Sequence, residues 1–445
     1  MENSQILQSP NDSRQYQYLT LKNGLAVLLV HQADSEKSAA ALTVNVGHFD
    51  DPAEREGLAH FLEHMLFLGS ANYPDAGEYQ HFINHHGGSH NAWTGTEHSS
   101  FFFDIDTRFF AEALARFADM FSQPLFNSEY VEKERHAIEA EFSLKLKDDG
   151  RRIYQVHKES INPAHPVAKF SVGNLSTLAD TDQGSLQHAL KDFFTSQYSA
   201  SRMTLTLVSS LSLPQQQQYV EQYFCTLPSH LPKKPALDMP LYLPQHQAVQ
   251  LNIQPHRDTQ KLVVSFALPD IQPWYRHKLI SFIAHLLGDE GPGSLLSLLK
   301  QQDLVNQLSA GGGIDGSNYK DFTISFELTE KGLTARDRIL QALFSVLAML
   351  KAGPLPQPLF AERQKLLHWA YLYQEPATAL QTANHLSVSM QHYPVHDIIF
   401  GDYRMELPDE ALYQQVLGYF TSENMRLMLI APGVPVQQQA RWYHT

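Results

Sequence analysis

Residues 57–69 read GLAHFLEHMLFLG, an apolar run that carries three ionisable side chains, His60, Glu63 and His64. The spacing of the apolar residues predicts a helix packed against a core. On a helix, residues i and i+4 share a face, so His60 and His64 can direct their imidazoles at one point, with Glu63 near the same face. The predicted helix is therefore buried, yet it carries groups that can bind a metal ion or move a proton.

The segments on either side predict a unit that mixes strands with helices. LAVLLV (25–30) and AALTVNV (40–46) are apolar, β-branched runs typical of strands. HNAWTGTEHSSFFFDID (90–106) predicts one further strand, and TRFFAEALARFADMF (107–121) predicts an amphipathic helix. A long charged helix is predicted over residues 128–149. Together these elements indicate an α+β fold.

Length and proline content predict more than one domain. A chain of 445 residues is long for a single core. Several prolines between residues 228 and 246 predict an extended linker, because proline sustains neither a helix nor a central strand. We expect a first domain at residues 1–232, a linker at 233–246 and a second domain at 247–445.

The second half of the chain repeats the pattern of the first. LVVSFALPD (262–270) and a helix that runs to Gly288 mimic a strand, the opening helix and Gly69. Aligning the two glycines, 219 positions apart, places three apolar residues on the ionisable trio: Leu279, Phe282 and Ile283. The second copy would then keep the helix without its ionisable groups, so the trio serves something other than folding.

Composition and charge exclude several classes of protein. Hydrophobic residues make up 43% and charged residues 18%, as in a globular protein. The net charge of −14 speaks against a nucleic-acid binder, which would carry a basic patch. The single Cys225 excludes an intramolecular disulfide framework and a cysteine-based zinc site, and we expect it to be a small buried residue. The first residues lack the features of a secretory signal, and no apolar run approaches the ~20 residues of a membrane helix. We therefore expect a cytoplasmic protein, or a periplasmic one if a leader was removed, with no membrane partner.

A catalytic zinc usually has three protein ligands, so two histidines need a carboxylate from elsewhere. The helix at 128–149 offers Glu134 and Glu141 on one face, and Glu132 and Glu139 on another. Spacing alone does not choose between the pairs. The competing interpretation is that local hydrogen bonds satisfy the two histidines. Burying three ionisable groups costs free energy, however, and under this interpretation no metal ion offsets that cost.

A second metal site is conceivable in HFINHHGGSH (81–90), which holds His81, His85, His86 and His90. A glycine-rich loop fixes no ligand geometry, and exposed histidines are common. The alternative is an ordinary solvent-exposed cluster.

HFLEH (60–64), followed after 76 residues by Glu141, resembles the signature of the M16 metallopeptidases, the pitrilysin and insulin-degrading enzyme family. The resemblance covers nearly the whole chain and includes GGSHNAWTGTEHS, ERHAIEAEF, INPAHPVAKFSVGN and HLLGDEGPGSLL. It implies two homologous M16-type α/β-sandwich domains, each a mostly antiparallel sheet packed with helices, of which the second is inactive. It further implies a zinc endopeptidase with one Zn²⁺ per chain.

The resemblance also implies a role for particular residues. Zn²⁺ is expected on His60, His64 and Glu141, with Glu63 as general base and Glu134 supporting a ligand histidine. Peptide substrate is expected to pair with a strand edge, and an exosite is expected to hold its N-terminus. The residues concerned are Asn91, Ala92 and Trp93 at the edge, and Gly311 and Gly312 at the exosite. Without the resemblance, these segments read as an ordinary sheet edge and as turns that need positive φ.

Chains of this family are about twice as long, and this one resembles the N-terminal half. The family's C-terminal half supplies an Arg and a Tyr that stabilise the oxyanion, and no Arg with a Tyr seven residues later occurs here. We expect a fragment of a longer peptidase. The alternatives are a half-size protein that pairs with a homodimer or heterodimer partner, or a truncated protein that binds peptides and cleaves them poorly. The competing functions are a non-catalytic accessory subunit and a purely structural zinc protein.

Overall fold

A computed structural model describes residues 6–182, 184–375 and 377–445. The described strands, in chain order, are β1 (Gln15–Thr20), β2 (Ala26–His31), β3 (Lys37–Val44), β4 (Ser89–Thr94), β5 (Ser99–Asp106), β6 (Met203–Ser209), β7 (Val249–Ile253), β8 (Lys261–Pro269), β9 (Val305–Ala310), β10 (Tyr319–Leu328) and β11 (Met425–Ile430).

The described α-helices are α1 (Leu58–Leu66), α2 (Glu78–His85), α3 (Phe110–Ser122), α4 (Ser128–Leu144), α5 (Asp149–Glu159), α6 (Leu186–Gln197), α7 (Leu213–Phe224), α8 (Leu279–Leu287), α9 (Leu295–Gln301), α10 (Glu330–Thr334), α11 (Arg336–Ala352), α12 (Gln357–Leu372), α13 (Ala379–His392) and α14 (Glu410–Gly418). Contacts divide the chain into two compact units, each built round one sheet. The α+β prediction is confirmed.

The sheet of the first unit has the order β1-β2-β6-β3-β5-β4. Its strands pair antiparallel except β2 with β6. The prediction of one strand over residues 90–106 is wrong, because the chain reverses between Thr94 and Ser99 and forms the hairpin of β4 and β5. The turn is closed by a hydrogen bond from the Gly95 N–H to the His98 carbonyl (2.8 Å). β4 consequently lies at the sheet edge.

The two faces of this sheet are covered differently. One face packs against α1, α3, α6 and α7 in a large apolar core. The other carries hydroxyl groups and is covered by α13. Thr43 Oγ1 lies 2.8 Å from Ser387 Oγ, and Thr204 Oγ1 donates to the Ser387 carbonyl (2.7 Å). Ser100 Oγ donates to Asn384 Oδ1 (2.9 Å), so buried hydroxyls find partners on this helix.

The sheet of the second unit repeats the first. Its order is β7-β11-β8-β10-β9, with β7 and β11 parallel and the other pairs antiparallel. This is the order and the direction of β2-β6-β3-β5-β4. Nothing requires two unrelated sheets to share both the order and the direction of their strands. The shared topology therefore supports the internal duplication expected from the sequence.

The two units exchange helices across the expected domain bounds. The first unit includes Tyr371–Asp402, with α13, and the second includes Lys145–Ala168, with α5. In the second unit, Ile153 and Val156 of α5 pack beside Ile253 and Val263 of the sheet. The bounds 1–232 and 247–445 follow the sequence repeat, whereas each compact unit also takes a helix from the other repeat. Residues 1–5 of the expected first domain lie outside the described residues.

The positions that correspond between α1 and α8 differ from those expected. α1 begins after Gly57 (φ 94°) and α8 begins after Lys278 (φ 48°), and both of these residues have a left-handed backbone conformation. The two helices therefore begin 221 positions apart in the sequence, rather than the 219 expected. The buried positions of α8 follow the same shift. The trio of the first copy therefore corresponds to Ser281, Ala284 and His285, and not to the three apolar residues expected. The second copy still lacks the carboxylate and one of the histidines.

The fold decides two further expectations, and it also shows the length and composition of the helices. Cys225 is exposed at the end of α7, so its expected burial is wrong. The helix predicted over 128–149 ends at Leu144, and a turn separates it from α5. Among the described residues no single helix is long and apolar enough to span a membrane, although α11 and α12, which are bent sharply at their junction, reach that length and composition as a pair.

A buried polar group in the second unit makes its stability depend on pH. Asp321 Oδ2 accepts a hydrogen bond from the Tyr242 hydroxyl (2.6 Å) and lies 3.6 Å from His157 Nε2. Burial raises the pKa of Asp321 to about 7, against the lowering effect of Tyr242 and of the charges of Arg426 and Lys320. Burial lowers the pKa of His157 to about 3, so this imidazole is neutral at physiological pH.

We expect the free energy of unfolding to fall as pH rises from about 4 to about 7, because an unfolded aspartate has a pKa near 3.9 and the folded state retains the proton to higher pH. The slope for one proton is at most about 1.4 kcal/mol per pH unit. Asp321→Asn should remove this contribution, which urea titrations of both proteins at a series of pH values would measure. Parallel pH profiles for the two proteins would contradict it.

Candidate metal centre and active site

The helix α1, which carries the trio, is fixed at its N-terminus by the carboxylate of Asp51. Asp51 Oδ2 accepts the Gly57 N–H and Asp51 Oδ1 accepts the Ala59 N–H, both at 2.7 Å. These bonds satisfy amides that the first turn of a helix leaves without partners. Gly57 has φ 94°, and a Cβ there would overlap the backbone of Gly173. α1 therefore begins in close contact with the loop at residues 172–174.

Each histidine of the trio is oriented by a hydrogen bond from its Nδ1. His60 Nδ1 donates to the Val172 carbonyl (2.7 Å), and His64 Nδ1 lies 3.2 Å from Glu134 Oε2. The Nε2 atoms are thereby left for another partner. Glu141 Oε2 lies 3.6 Å from His60 Nε2 and 4.0 Å from His64 Nε2. A carboxylate or carbonyl on the far nitrogen is how metal-binding histidines are commonly held.

His60, His64 and Glu141 can hold a metal ion. Each offers one ligand atom, and these atoms lie within 4.8 Å of one another. In the part of the chain that the structure describes, this is the one group of three or more His, Cys, Asp or Glu side chains with such an arrangement. The donor set, two imidazole nitrogens and one carboxylate oxygen, fits a zinc ion.

The orientation of α4 determines which pair of glutamates faces the histidines. Glu134 and Glu141 face α1, as the distances to the two imidazoles show. Glu132 is exposed and pairs with Arg135, and Glu139 accepts the Leu175 N–H (2.9 Å). The second pair thus has structural partners of its own.

Carboxylates surround the histidines and set the electrostatics of the site. Burial lowers the pKa of His64, but the hydrogen bond to Glu134 and the charges of Glu63 and Glu141 outweigh it, and the net pKa is raised. An imidazole among three carboxylates lies in a region that favours a cation. The same charges favour a divalent ion at the Nε2 atoms.

Glu63 is nearly buried and lies beside the sheet edge. Its Oε2 accepts a hydrogen bond from Thr94 Oγ1 (2.5 Å), and Thr94 is the last residue of β4. α1 and β4 are therefore in direct contact. Glu63 thus lies one residue before His64 in the sequence, and its carboxylate does not belong to the group of metal-binding side chains.

The expected substrate segment occupies the edge of the first sheet. Asn91, Ala92 and Trp93 lie in β4, which pairs with β5 on one side. Asn91 Oδ1 accepts the Ala92 N–H (2.9 Å). An edge strand is a template for pairing with an extended chain.

The expected exosite glycines follow β9 in the second unit. The Gly311 N–H donates to the Thr323 carbonyl and the Gly312 carbonyl accepts the Thr323 N–H, both at 2.9 Å. Gly311 has φ 110°, and Gly313 has φ 132°. The backbone conformation explains the glycines at these two positions, and the exosite role stays a prediction.

The histidine-rich segment 81–90 does not assemble a second metal group. His81 and His85 stack at 5.7 Å on the surface of α2, and His86 stacks on Phe109 at 3.6 Å. His90 packs against Tyr79. No group of three ligands forms here among the residues described.

Residues 26–164 match the family description "Insulinase (Peptidase family M16)", residues 187–367 match "Peptidase M16 inactive domain", and residues 371–445 match "Middle or third domain of peptidase_M16". The chain belongs to peptidase family M16. The predicted resemblance to this family is confirmed.

M16 relatives include several named proteases. Protease 3 of Escherichia coli K12 is 34% identical over 98% of this chain and 45% of its own length. The A-factor-processing enzyme of Saccharomyces cerevisiae is 33% identical over the whole chain and 44% of its length. Insulin-degrading enzyme of Homo sapiens is 31% identical over 99% of this chain and 44% of its length. The chain spans somewhat less than half the length of these relatives.

Solved M16 structures give the same fold. The crystal structure of pitrilysin superposes with a TM-score of 0.95 at 33% identity, covering 100% of this chain and 47% of that one. A protein from Pseudomonas fluorescens titled "peptidase M16 inactive domain" matches with a TM-score of 0.73 at 17% identity over its full length, which shows the fold alone.

Three contributors to the site are missing from the sequence-based expectations. Asp51 caps α1 from six residues before its N-cap, the Val172 carbonyl orients His60, and Thr94 contacts Glu63. A backbone carbonyl carries no residue-type signal, so the Val172 contact is invisible to sequence. The segment NAWT belongs to a stretch that resembles the family, and this was the available signal for Thr94.

Glu134→Ala is expected to lower metal affinity by roughly 10- to 100-fold, because His64 loses the partner that fixes its tautomer and orientation. Glu132→Ala, on the same helix but away from the histidines, is the matched control. Competition with a chromogenic chelator measures both variants. Equal affinities for the two variants would show that the Glu134 contact does not orient a metal ligand.

Proposed function

We propose that this chain is the catalytic half of a zinc-dependent endopeptidase that cleaves peptides or small proteins. The observation that carries the proposal is the group of His60, His64 and Glu141, with both histidines held through Nδ1 and a separate carboxylate, Glu63, beside them. A structural zinc site would not need Glu63. The named proteases among the relatives support the same reaction class.

Zinc would be held by His60 Nε2, His64 Nε2 and a Glu141 oxygen, and three protein ligands are typical of catalytic sites. When bound, the ion supplies Lewis acidity, which polarises the peptide carbonyl and lowers the pKa of water. Glu63 accepts a proton from the water whose oxygen bonds to the carbonyl carbon. As the C–N bond breaks, Glu63 passes this proton to the leaving amine nitrogen.

The peptide is proposed to bind as an added strand on the open edge of β4. Backbone pairing at Asn91, Ala92 and Trp93 would present the scissile bond to α1, because Thr94 of the same strand contacts Glu63. The glycines Gly311 and Gly312 are proposed to hold the peptide N-terminus. Backbone pairing selects extended peptides with little regard to side chains.

A second candidate function is a non-catalytic or weakly active peptide-binding subunit. This candidate is favoured by the short length of the chain relative to its relatives, since the chain spans 45% of Protease 3 and 47% of pitrilysin. In both cases we propose that another half completes the enzyme, either as a continuation of a longer chain or as a homodimer or heterodimer partner.

The two functions are separated by hydrolysis of a quenched peptide of roughly 20 residues, a length at which an added strand of several residues can form. The zinc-loaded chain is compared with chelated protein and with chelated protein after zinc is restored. Cleavage that disappears and returns supports the endopeptidase. Metal and peptide binding without cleavage supports the accessory subunit. Absence of metal binding would overturn the endopeptidase, and absence of peptide binding as well would overturn both.

A further inference from the structure

Thr94 lies where the proposed substrate strand meets the proposed base. It is the last residue of β4, and its Oγ1 donates to Glu63 Oε2 at 2.5 Å. In the part of the chain that is described, no other hydrogen bond to the Glu63 carboxylate occurs. A single hydroxyl is therefore the hydrogen-bond donor to this buried carboxylate among the described residues.

The hydroxyl of Thr94 is itself fixed by the hairpin. Thr94 pairs with Ser99 in the register of β4 and β5, and Ser99 Oγ lies 3.3 Å from Thr94 Oγ1. Ser99 is fully buried and also donates to the Val46 carbonyl (2.9 Å). A β-branched side chain in a strand has few rotamers, which further limits the movement of Oγ1.

The bond also leaves one oxygen of Glu63 uncommitted. With Oε2 held by Thr94, Oε1 is the atom that can receive a proton. A general base has to lie within about 2.6–3.2 Å of the proton donor, so the rotation of the carboxylate is as important as its position.

The second unit lacks both partners at the corresponding place. The residue that corresponds to Glu63 is Ala284, and Gly311, directly after β9, approaches it so closely that a Cβ on the glycine would lie 2.8 Å from the Ala284 Cβ. Ala310, the last residue of β9 as Thr94 is the last of β4, has no hydroxyl either, so the carboxylate and the hydroxyl are absent together at this place. This pairing favours a role for Thr94 in the chemistry over a role in the sheet.

We propose that Thr94 is a positioning residue: its hydroxyl holds the Glu63 carboxylate in the orientation that proton transfer requires, from the same strand that receives the peptide. The inference rests on the proposed function. Thr94 is not a member of the ligand group, and it acts through the Glu63 carboxylate. Its loss should therefore lower kcat while metal content and peptide affinity persist.

Thr94→Val keeps the shape and removes the hydroxyl, and Thr94→Ser keeps the hydroxyl. We expect kcat of Thr94→Val to fall about 10²-fold, the effect of a misplaced catalytic group, and Thr94→Ser to retain most of the activity. KM, zinc stoichiometry and the Kd of a peptide measured in the Glu63→Gln background should change little. Equal activity of Thr94→Val and wild type, or equal impairment of the two variants, would overturn the proposal.

Crystal structures of the zinc-loaded Thr94→Val and Thr94→Ser proteins supply a readout that does not depend on turnover. We expect the Glu63 carboxylate to rotate in Thr94→Val and to keep its orientation in Thr94→Ser. If the wild type binds zinc but cleaves nothing, hydrolysis by this chain alone fails, and the structures still decide the role of Thr94. An unmoved carboxylate in Thr94→Val would contradict it.

Discussion

Glu63→Gln is expected to lower peptide hydrolysis by about 10²- to 10⁴-fold, the range attributed to positioned general bases. An amide of the same shape can still accept the Thr94 hydroxyl, yet it cannot take up the proton of the attacking water. Zinc content should stay at one ion per chain, because the proposed ligand group does not include Glu63. The measurement is kcat/KM for the quenched peptide together with metal analysis.

Glu129→Gln is the matched control for this variant, since Glu129 is exposed on the first turn of α4. The control should behave as wild type. Loss of zinc in Glu63→Gln would mean that Glu63 acts as a ligand. Retained hydrolysis would mean that another group takes the proton.

His60→Ala is expected to abolish zinc binding at micromolar metal and with it all hydrolysis. Three protein ligands are the usual minimum for a catalytic zinc ion, and removing His60 leaves His64 and Glu141 alone. The loss of affinity should exceed the roughly 10- to 100-fold expected for Glu134→Ala, because a direct ligand is removed instead of a group that orients one. Chelator competition measures all three proteins on one scale.

His81→Ala is the control for this experiment, since His81 is an exposed histidine on α2 outside the ligand group. It should keep one tightly bound zinc ion. A His60→Ala protein that still binds zinc with wild-type affinity would place the metal elsewhere. A His81→Ala protein that loses a zinc ion would reveal a second site in the histidine-rich segment.

Local pattern predicted much of the fold because the strands are apolar and the helices amphipathic. β2, β3, α1 and α3 lie where the sequence indicated them. The hairpin of β4 and β5 was missed because four residues, Gly95 to His98, turn a run that otherwise reads as one strand.

The exchange of α5 and α13 between the units had no local signal. Helical periodicity shows that a helix has a buried face, but it does not show which sheet covers that face. The hydroxyl-bearing face of the first sheet could have been noticed, since Thr43, Thr204 and Ser100 are buried polar residues that need partners. Tertiary packing alone shows that α13 supplies them.

The candidate site was predictable in part. The i, i+4 spacing brought His60 and His64 together, but the spacing of the glutamates in α4 left two pairs open. Packing of α1 on α4 turns Glu134 and Glu141 towards the histidines. The contact of His60 with the Val172 carbonyl depends on a loop more than a hundred residues away in sequence, and no residue pattern predicts it.

Anomalous diffraction at the zinc edge, from crystals of the zinc-loaded protein, locates the ion proposed on His60, His64 and Glu141. We predict a single strong peak about 2.0–2.2 Å from His60 Nε2, His64 Nε2 and a Glu141 oxygen. Glu63 should lie near the peak without coordinating it. A peak elsewhere, or no peak between these three side chains in zinc-loaded crystals, would show that they do not form the zinc site.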